Sequence, residues 1–200
     1  KIGSETDAFT GLVDEITVTK AEVKVIDDSA SRIPTDGFTV TCDNQYGGTT
    51  TEGVIQLAFD NNPSTIWHSN YSPYQNLPAT IEIDMGQPYV IDQFDYLPRQ
   101  DGSRNGRILT YELYGKLAAT DEYTLIAEGS WASTMDLKRV AFDAVEYQYL
   151  KLVAVTGDTD SANMFASASE FYVHEYDAKG DLKDVYALAD EYTEEDAALF

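Results

Sequence analysis

AFDNNPSTIWHSNY, residues 58 to 71, carries three kinds of signal in one short run. Asp60, Asn62 and Thr65 offer oxygen ligands at spacings of two and three, and Pro63 stiffens the turn between them. A hard cation such as Ca²⁺ takes about six to eight oxygens, several of them backbone carbonyls, so a tight loop of this composition suits one. A metal-free Asx-turn is the other reading of the same residues. Trp67 and His68 follow, and then Tyr71. Further along, LPRQDGSRNG (97 to 106) supplies Arg99 and Asn105 in a stretch too polar and Gly-rich to be needed for packing alone. Two such loops on one β domain suggest a ligand mouth.

The segments around these loops read as strands. Thr80 to Met85, Tyr89 to Tyr96, Leu109 to Tyr114 and Tyr149 to Val155 are rich in β-branched and aromatic residues. Turn clusters such as Asp101-Gly102-Ser103 and Thr156-Gly157-Asp158 separate many of them. Few central segments keep a helical period, and 200 residues with a 43% hydrophobic fraction and 14 tyrosines can build a real core. An all-β fold, an antiparallel sandwich, is the expected architecture.

From Gly37 to Tyr176 the chain resembles the coagulation factor V/VIII type C, or discoidin-like, β-sandwich (a jelly roll), and most closely its bacterial branch, the family 32 carbohydrate-binding modules. The phrases that carry the resemblance are AFDNNPSTIWHSNY, IEIDMGQPYVIDQFDYLPRQDG, NGRILTYELY, AEGSW, YQYLKLVAV and SASEFYV, in the family's order. The galactose-binding domains of sialidase and galactose oxidase are similar in the same places.

The resemblance implies a sugar site and a structural calcium. The sugar ligands are then His68, Arg99 and Asn105 as hydrogen-bonding groups and Tyr71 as a stacking plate, with Phe165 as a second aromatic wall and Glu52 as an acidic ligand. The chemistry agrees, because a sugar needs donors, acceptors and an aromatic face for its C–H groups. His68 and Arg99 are expected to donate. For the metal, the resemblance implies Asp60 and Glu170 side chains, oxygens of Asn62 and Thr65, and carbonyls near Leu57 and Ser169. Where the family usually has Gly between the first two loop ligands this chain has Asn61, the residue best able to replace Gly in a left-handed conformation. Bland alternatives stay open: His68 satisfying a loop carbonyl, Arg99 pairing with Asp101, and Tyr71 packing with Tyr74. Trp67 reads as core beneath the loops, and Trp131 as framework at a strand end.

The formal net charge is −22, from 35 acids against 13 Lys and Arg, and no basic face for nucleic acid or an anionic membrane is visible. With Cys42 alone, no intrachain disulfide can form, which leans toward the bacterial branch. His68 and His174 are the only histidines, and no catalytic phrase occurs, so no enzyme is expected here. Residues 1 to 36 are expected as an N-terminal segment, in which FTGLVDEITV (9 to 18) resembles the closing strand of a laminin-G-like domain or is an edge strand of this one. Residues 177 to 200 read as an acidic helical linker or the start of a further module. The implied function is recognition of terminal galactose or N-acetylgalactosamine by a monomeric, calcium-stabilised module, without membrane insertion, tethered to a secreted or cell-surface bacterial glycoside hydrolase. An adhesion module for a protein or a modified glycan is the alternative.

Overall fold

The computed structural model describes residues 29–176. The expectations for residues 9–18 and for the tail from 177 onward lie outside the described residues. Among these, the strands are β1 (Thr39–Cys42), β2 (Glu52–Gly53), β3 (Ile66–His68), β4 (Ala79–Leu97), β5 (Ile108–Lys116), β6 (Thr124–Ser130), β7 (Lys138–Gly157), β8 (Ser167–Ala168) and β9 (Glu170–Glu175). The larger sheet runs β1-β4-β7-β5-β6 with β9 also on β4, all antiparallel, and β2-β3-β8 form a small second sheet. This is the antiparallel sandwich expected.

The two apolar runs at 80–85 and 89–96 are halves of one strand. In the first half Ala79, Ile81, Ile83 and Met85 point into the core while the residues between them point out. The register with β7 shifts between Asp84 and Tyr89 and again between Ile91 and Gln93. The second shift lets Ile91 and Phe94, three positions apart, both face inward, with Tyr96 after them. Across these breaks β4 stays paired with β7, while its other partner changes from β1 to β9. Ile81, Leu113, Leu150 and Leu152 thereby meet Phe94, Tyr96, Phe171 and Val173 in one core. Each such side chain, fully buried, contributes roughly 1.5–3 kcal/mol.

Phe171 is the centre of that core beneath the loops. Its ring lies 5.7 Å from Phe59, 6.3 Å from Trp67, 5.7 Å from Phe94 and 5.6 Å from Tyr96. Trp67 is fully buried, as the core reading required. Trp131 stacks on Tyr111 at 3.9 Å just after β6 ends, the framework role expected of it.

Packing begins before residue 37. Ile33 is buried in the core and its amide donates to Val173 O at 2.9 Å. Beside it, the buried Asp95 carboxylate pairs with His174 Nε2 at 3.1 Å and with Arg139. Burial works against that charge, but the contacts with His174 and Arg139 outweigh it and hold the carboxyl below its ordinary range. Cys42 is inert by contrast, because burial pushes its thiol up to about 12.

Candidate functional site

Three short strands bring the ligand candidates together. β2 runs parallel to β3 with Glu52 opposite Ile66, and β8 runs antiparallel on the other side with Ser167 opposite His68. The Ser69 amide donates to Ala166 O at 2.8 Å, and the Ala166 amide donates back to Ser69 Oγ at 2.9 Å. These bonds fix the Phe165 segment against His68. The 97–106 loop is attached through Gly106, whose carbonyl accepts from the Ser167 amide at 2.6 Å. Gly106 has φ of +89°, and a Cβ there would meet Ser167 Oγ at 2.8 Å, so the loop approaches β8 only because this residue is glycine.

His68 is 2% exposed, with Nδ1 2.7 Å from Ser69 O. A carbonyl only accepts, so Nδ1 carries the proton and, in the neutral ring, Nε2 presents a lone pair. Burial pushes the pKa of His68 down, overcoming the Ser69 carbonyl that favours the charged ring, and the nearby Arg99 charge pushes the same way as burial. His68 therefore satisfies a loop carbonyl on one side and offers an acceptor on the other, where the sequence suggested a donor.

Arg99 is held from two sides. Its Nε and Nη2 donate to the Asp101 carboxylate at 2.8 and 2.5 Å, and Nη1 donates to Asn105 O at 2.9 Å. Burial alone lowers the pKa of Arg99; the Asp101 contact outweighs it and raises it. The same contact, working against burial, holds the Asp101 carboxyl below its ordinary range. Three of the five guanidinium N–H groups are thus engaged and two remain to donate. Pairing with Asp101 and ligand binding are compatible, because the pair fixes the fork's orientation. Asn105 adds a buried Oδ1 that has no hydrogen-bond partner. A buried acceptor without a protein partner beside an oriented guanidinium suits a polar ligand.

The aromatic side is built from more rings than the sequence revealed. Tyr71 is 39% exposed and stacks on Tyr46 at 4.2 Å, with its edge relation to His68 at 5.2 Å. Slight desolvation, the Tyr46 contact and the charge of Glu52 push the Tyr71 phenol up to about 12, so it stays neutral. Tyr46 backs one face of Tyr71; its only sequence signal was an aromatic in the polar, Gly-rich QYGG stretch. Phe165 is 8% exposed and lies 5.5 Å from His68 and 5.4 Å from Tyr74, so it buttresses these rings from behind. Tyr71 and Tyr74 form an isolated β-bridge, and Tyr74 OH donates to Met164 O at 3.3 Å. Glu52 is half-buried and acts electrostatically on His68, Tyr71 and Arg99. Its carboxylate has no hydrogen-bond or ion-pair partner among the described residues.

The cation candidates gather next to this site. Thr65 Oγ1 lies 2.8 Å from Asp60 Oδ2, 2.7 Å from Asn62 O and 3.3 Å from Leu57 O. The Asn62 amide donates to Asp60 Oδ1 at 2.9 Å and the Ser64 amide to Asn62 Oδ1 at 3.2 Å, so the loop is indeed shaped by Asx-turns. Asn61 takes φ of 58°, the left-handed conformation its position required. Asx-turns do not account for Glu170, which is 1% exposed and has no hydrogen-bond partner at either carboxylate oxygen. Burial and the Asp60 carboxylate push its carboxyl up to about 8. Ser169, beside it, is buried and its amide donates to Leu97 O at 2.9 Å. No group of three or more His, Cys, Asp or Glu gathers among the described residues. Two carboxylates, carbonyls and a hydroxyl are an all-oxygen set, which fits Ca²⁺ and not a softer metal.

Comparison with known proteins converges on one family. The F5/8 type C domain family matches residues 39–171. The A type blood N-acetyl-alpha-D-galactosamine deacetylase of Flavonifractor plautii is 39% identical over 167 residues, which cover 83% of this chain and 20% of that protein. The chain spans about a fifth of the length of the curated relatives it matches. Among solved structures, CpGH89CBM32-5 from Clostridium perfringens, in complex with GalNAc-beta-1,3-galactose, is 34% identical with a TM-score of 0.66, covering 72% of this chain and 99% of that one. The family 32 module of NanJ from C. perfringens, in complex with galactose, is 27% identical with a TM-score of 0.63, covering 72% and 98%.

Proposed function

The chain belongs to the F5/8 type C domain family, and from that premise we propose that it is a non-catalytic carbohydrate-binding module for terminal galactose or N-acetylgalactosamine. The observation that carries the reading is the convergence of Glu52, His68, Arg99, Asn105 and Tyr71 from separate segments onto one mouth. Arg99 supplies two N–H donors not used within the protein, His68 Nε2 and Glu52 supply acceptors, and Asn105 Oδ1 is a further acceptor. The axial O4 of a galacto sugar leaves one continuous C–H face, and the open face of Tyr71 suits it. The sugars in the two Clostridium complexes support the same class.

A bound Ca²⁺ fits the Asp60 loop, where it would neutralise the paired Asp60 and Glu170 carboxylates and brace the chain against β9. Leu57, Asn62, Thr65 and Ser169 would supply the remaining oxygens. The ion's role is structural, since its ligands include none of the sugar-binding side chains. The module's work is to hold a larger secreted or surface-attached bacterial glycoside hydrolase on its substrate. A monosaccharide of roughly a dozen heavy atoms at about 0.3–0.5 kcal/mol each gives a dissociation constant on the order of a millimolar to tens of micromolar. Such weak binding serves a tethered module, where avidity supplies the rest.

Isothermal titration with calcium present, against galactose, N-acetylgalactosamine, N-acetylglucosamine and N-acetyllactosamine, tests the reading. Saturable heat with the galacto sugars is expected. Silence from all four sinks it.

A further inference from the structure

We propose that Arg107 and Lys138 form an oxyanion site, for a sulfate or carboxylate group, between the start of β5 and the loop that joins β6 to β7. It uses none of the side chains assigned to sugar and stands or falls apart from the galactose reading.

The guanidinium carries the argument. Arg107 is 8% exposed, and its Nη1 donates to Ser133 O at 3.1 Å. Its Nε is buried without a hydrogen-bond partner among the described residues, and Nη2 has none either. Nε–H and Nη2–H lie on the side of the fork that fits two oxygens of one oxyanion. Arg99 turns that same side to the two oxygens of Asp101. Arg107 has no carboxylate within ion-pair distance among the described residues. A buried N–H of a charged group is costly to leave unpaired. A water molecule would answer the hydrogen bond, but only an anion answers the charge as well.

Lys138 brings the second charge. Arg107 donates to Ser133 O and the Lys138 ammonium to the Thr134 hydroxyl, so the two cations are anchored on consecutive residues of one loop. Burial lowers the pKa of Lys138, Asp136 works against that, and the Arg107 charge lowers it further. Asp158 is already engaged by the Ser133 hydroxyl, by the Thr159 amide and by Arg104 at 3.4 Å. Arg104, Arg107 and Lys138 thus stand against Asp136 and Asp158, a local positive excess on a chain of net charge −22. One oxyanion balances that excess, whereas a polyanion would also meet the acidic remainder of the surface. Thr134, Met135, Asp136 and Leu137 are exposed, which leaves Lys138 reachable from water.

Sulfate titrated at constant ionic strength, followed by the magnetic-resonance signal of the Arg107 Nε–H, tests the site. Sulfate and acetate should each move that signal saturably, with a dissociation constant on the order of a millimolar to ten millimolar, while chloride, which has no second oxygen, should not. Lys138→Gln, at a half-buried position, should weaken sulfate binding about three- to tenfold. Arg107→Lys keeps the charge without the fork, so calorimetry should find its preference for sulfate over chloride gone. If that variant does not fold, Lys138→Gln still decides. Galactose 6-sulfate separates the sources of the anion. Moving the same signal at lower concentration than inorganic sulfate means that the group arrives on a sugar, and at higher concentration that the site takes the free ion. No saturable shift with sulfate, a shift that chloride reproduces, or full sulfate affinity in Lys138→Gln each overturns the site and leaves the galactose reading untouched.

Discussion

The protonation of one buried imidazole sets the polarity of the proposed sugar mouth. The place of His68 after the loop Trp was legible in the sequence, but its tautomer was not, because that depends on the Ser69 carbonyl, a backbone contact no side-chain pattern encodes. The pH dependence follows. Burial keeps the folded-state pKa below the unfolded value near 6.5, so the unfolded chain takes up its proton at higher pH. Stability and the acceptor are both fully present above about 6.5, and both are lost as pH falls through the depressed value. Galactose affinity should thus be flat from pH 8 to pH 6.5 and fall only below it, by up to about tenfold per unit once His68 is charged. Titrations at several pH values check this, and a fall already between pH 8 and pH 7 would point to a different group. Arg99→Ala removes charge-assisted donors of roughly 1.5–3 kcal/mol, so sugar affinity should drop by about ten- to a hundredfold with the fold retained. Normal binding by that variant would mean the mouth lies elsewhere.

Among the elements, the long strands declared themselves by their β-branched and aromatic content, while the small sheet beside the candidate site did not. β2 and β8 are two residues each, too short to show any period, and exist only through their pairing with β3. The single strand β4 reads as two runs because Gly86-Gln87-Pro88 interrupts its β-branched and aromatic residues, at the first of its register shifts. Gly157 shows how closely these pieces approach, since a Cβ there would lie 1.7 Å from Phe165 O. Gly157→Ala should displace the Phe165 segment, cost about 1–3 kcal/mol in stability and loosen galactose binding, which thermal melts and titration together would register. The cation loop makes a prediction of opposite sign. Calcium at a hundred times its dissociation constant adds about 2.7 kcal/mol, or a melting shift of roughly 5–10 °C, to the unaltered protein. Glu170→Gln replaces a buried carboxyl that burial and Asp60 push up to about 8, and which is therefore mostly uncharged at neutral pH without the ion, so without calcium the variant should melt at the same temperature or higher, yet gain little from calcium. A variant that keeps the full calcium shift would remove Glu170 from the ligand set.

For the molecule as a whole, the excess of acid works against binding a polyanion, but it leaves a neutral sugar's binding untouched. The sugar carries no charge to screen, so affinity for galactose should change less than about twofold between 50 mM and 500 mM salt. Weak and salt-insensitive binding becomes useful only through linkage. A short flexible tether gives a second identical module an effective concentration of a few millimolar, and the gain over one module is about the ratio of that concentration to the single-site constant. At a constant near a millimolar the gain is only severalfold, while at tens of micromolar it approaches a hundredfold. Two copies joined by a Gly-Ser linker, measured against a galactose-dense surface, should therefore bind more tightly by the factor that the monosaccharide titration sets. A dimer no tighter than the single copy, on a surface dense enough for both mouths, would show that the mouth does not face outward from the tethered module and cannot anchor a larger protein.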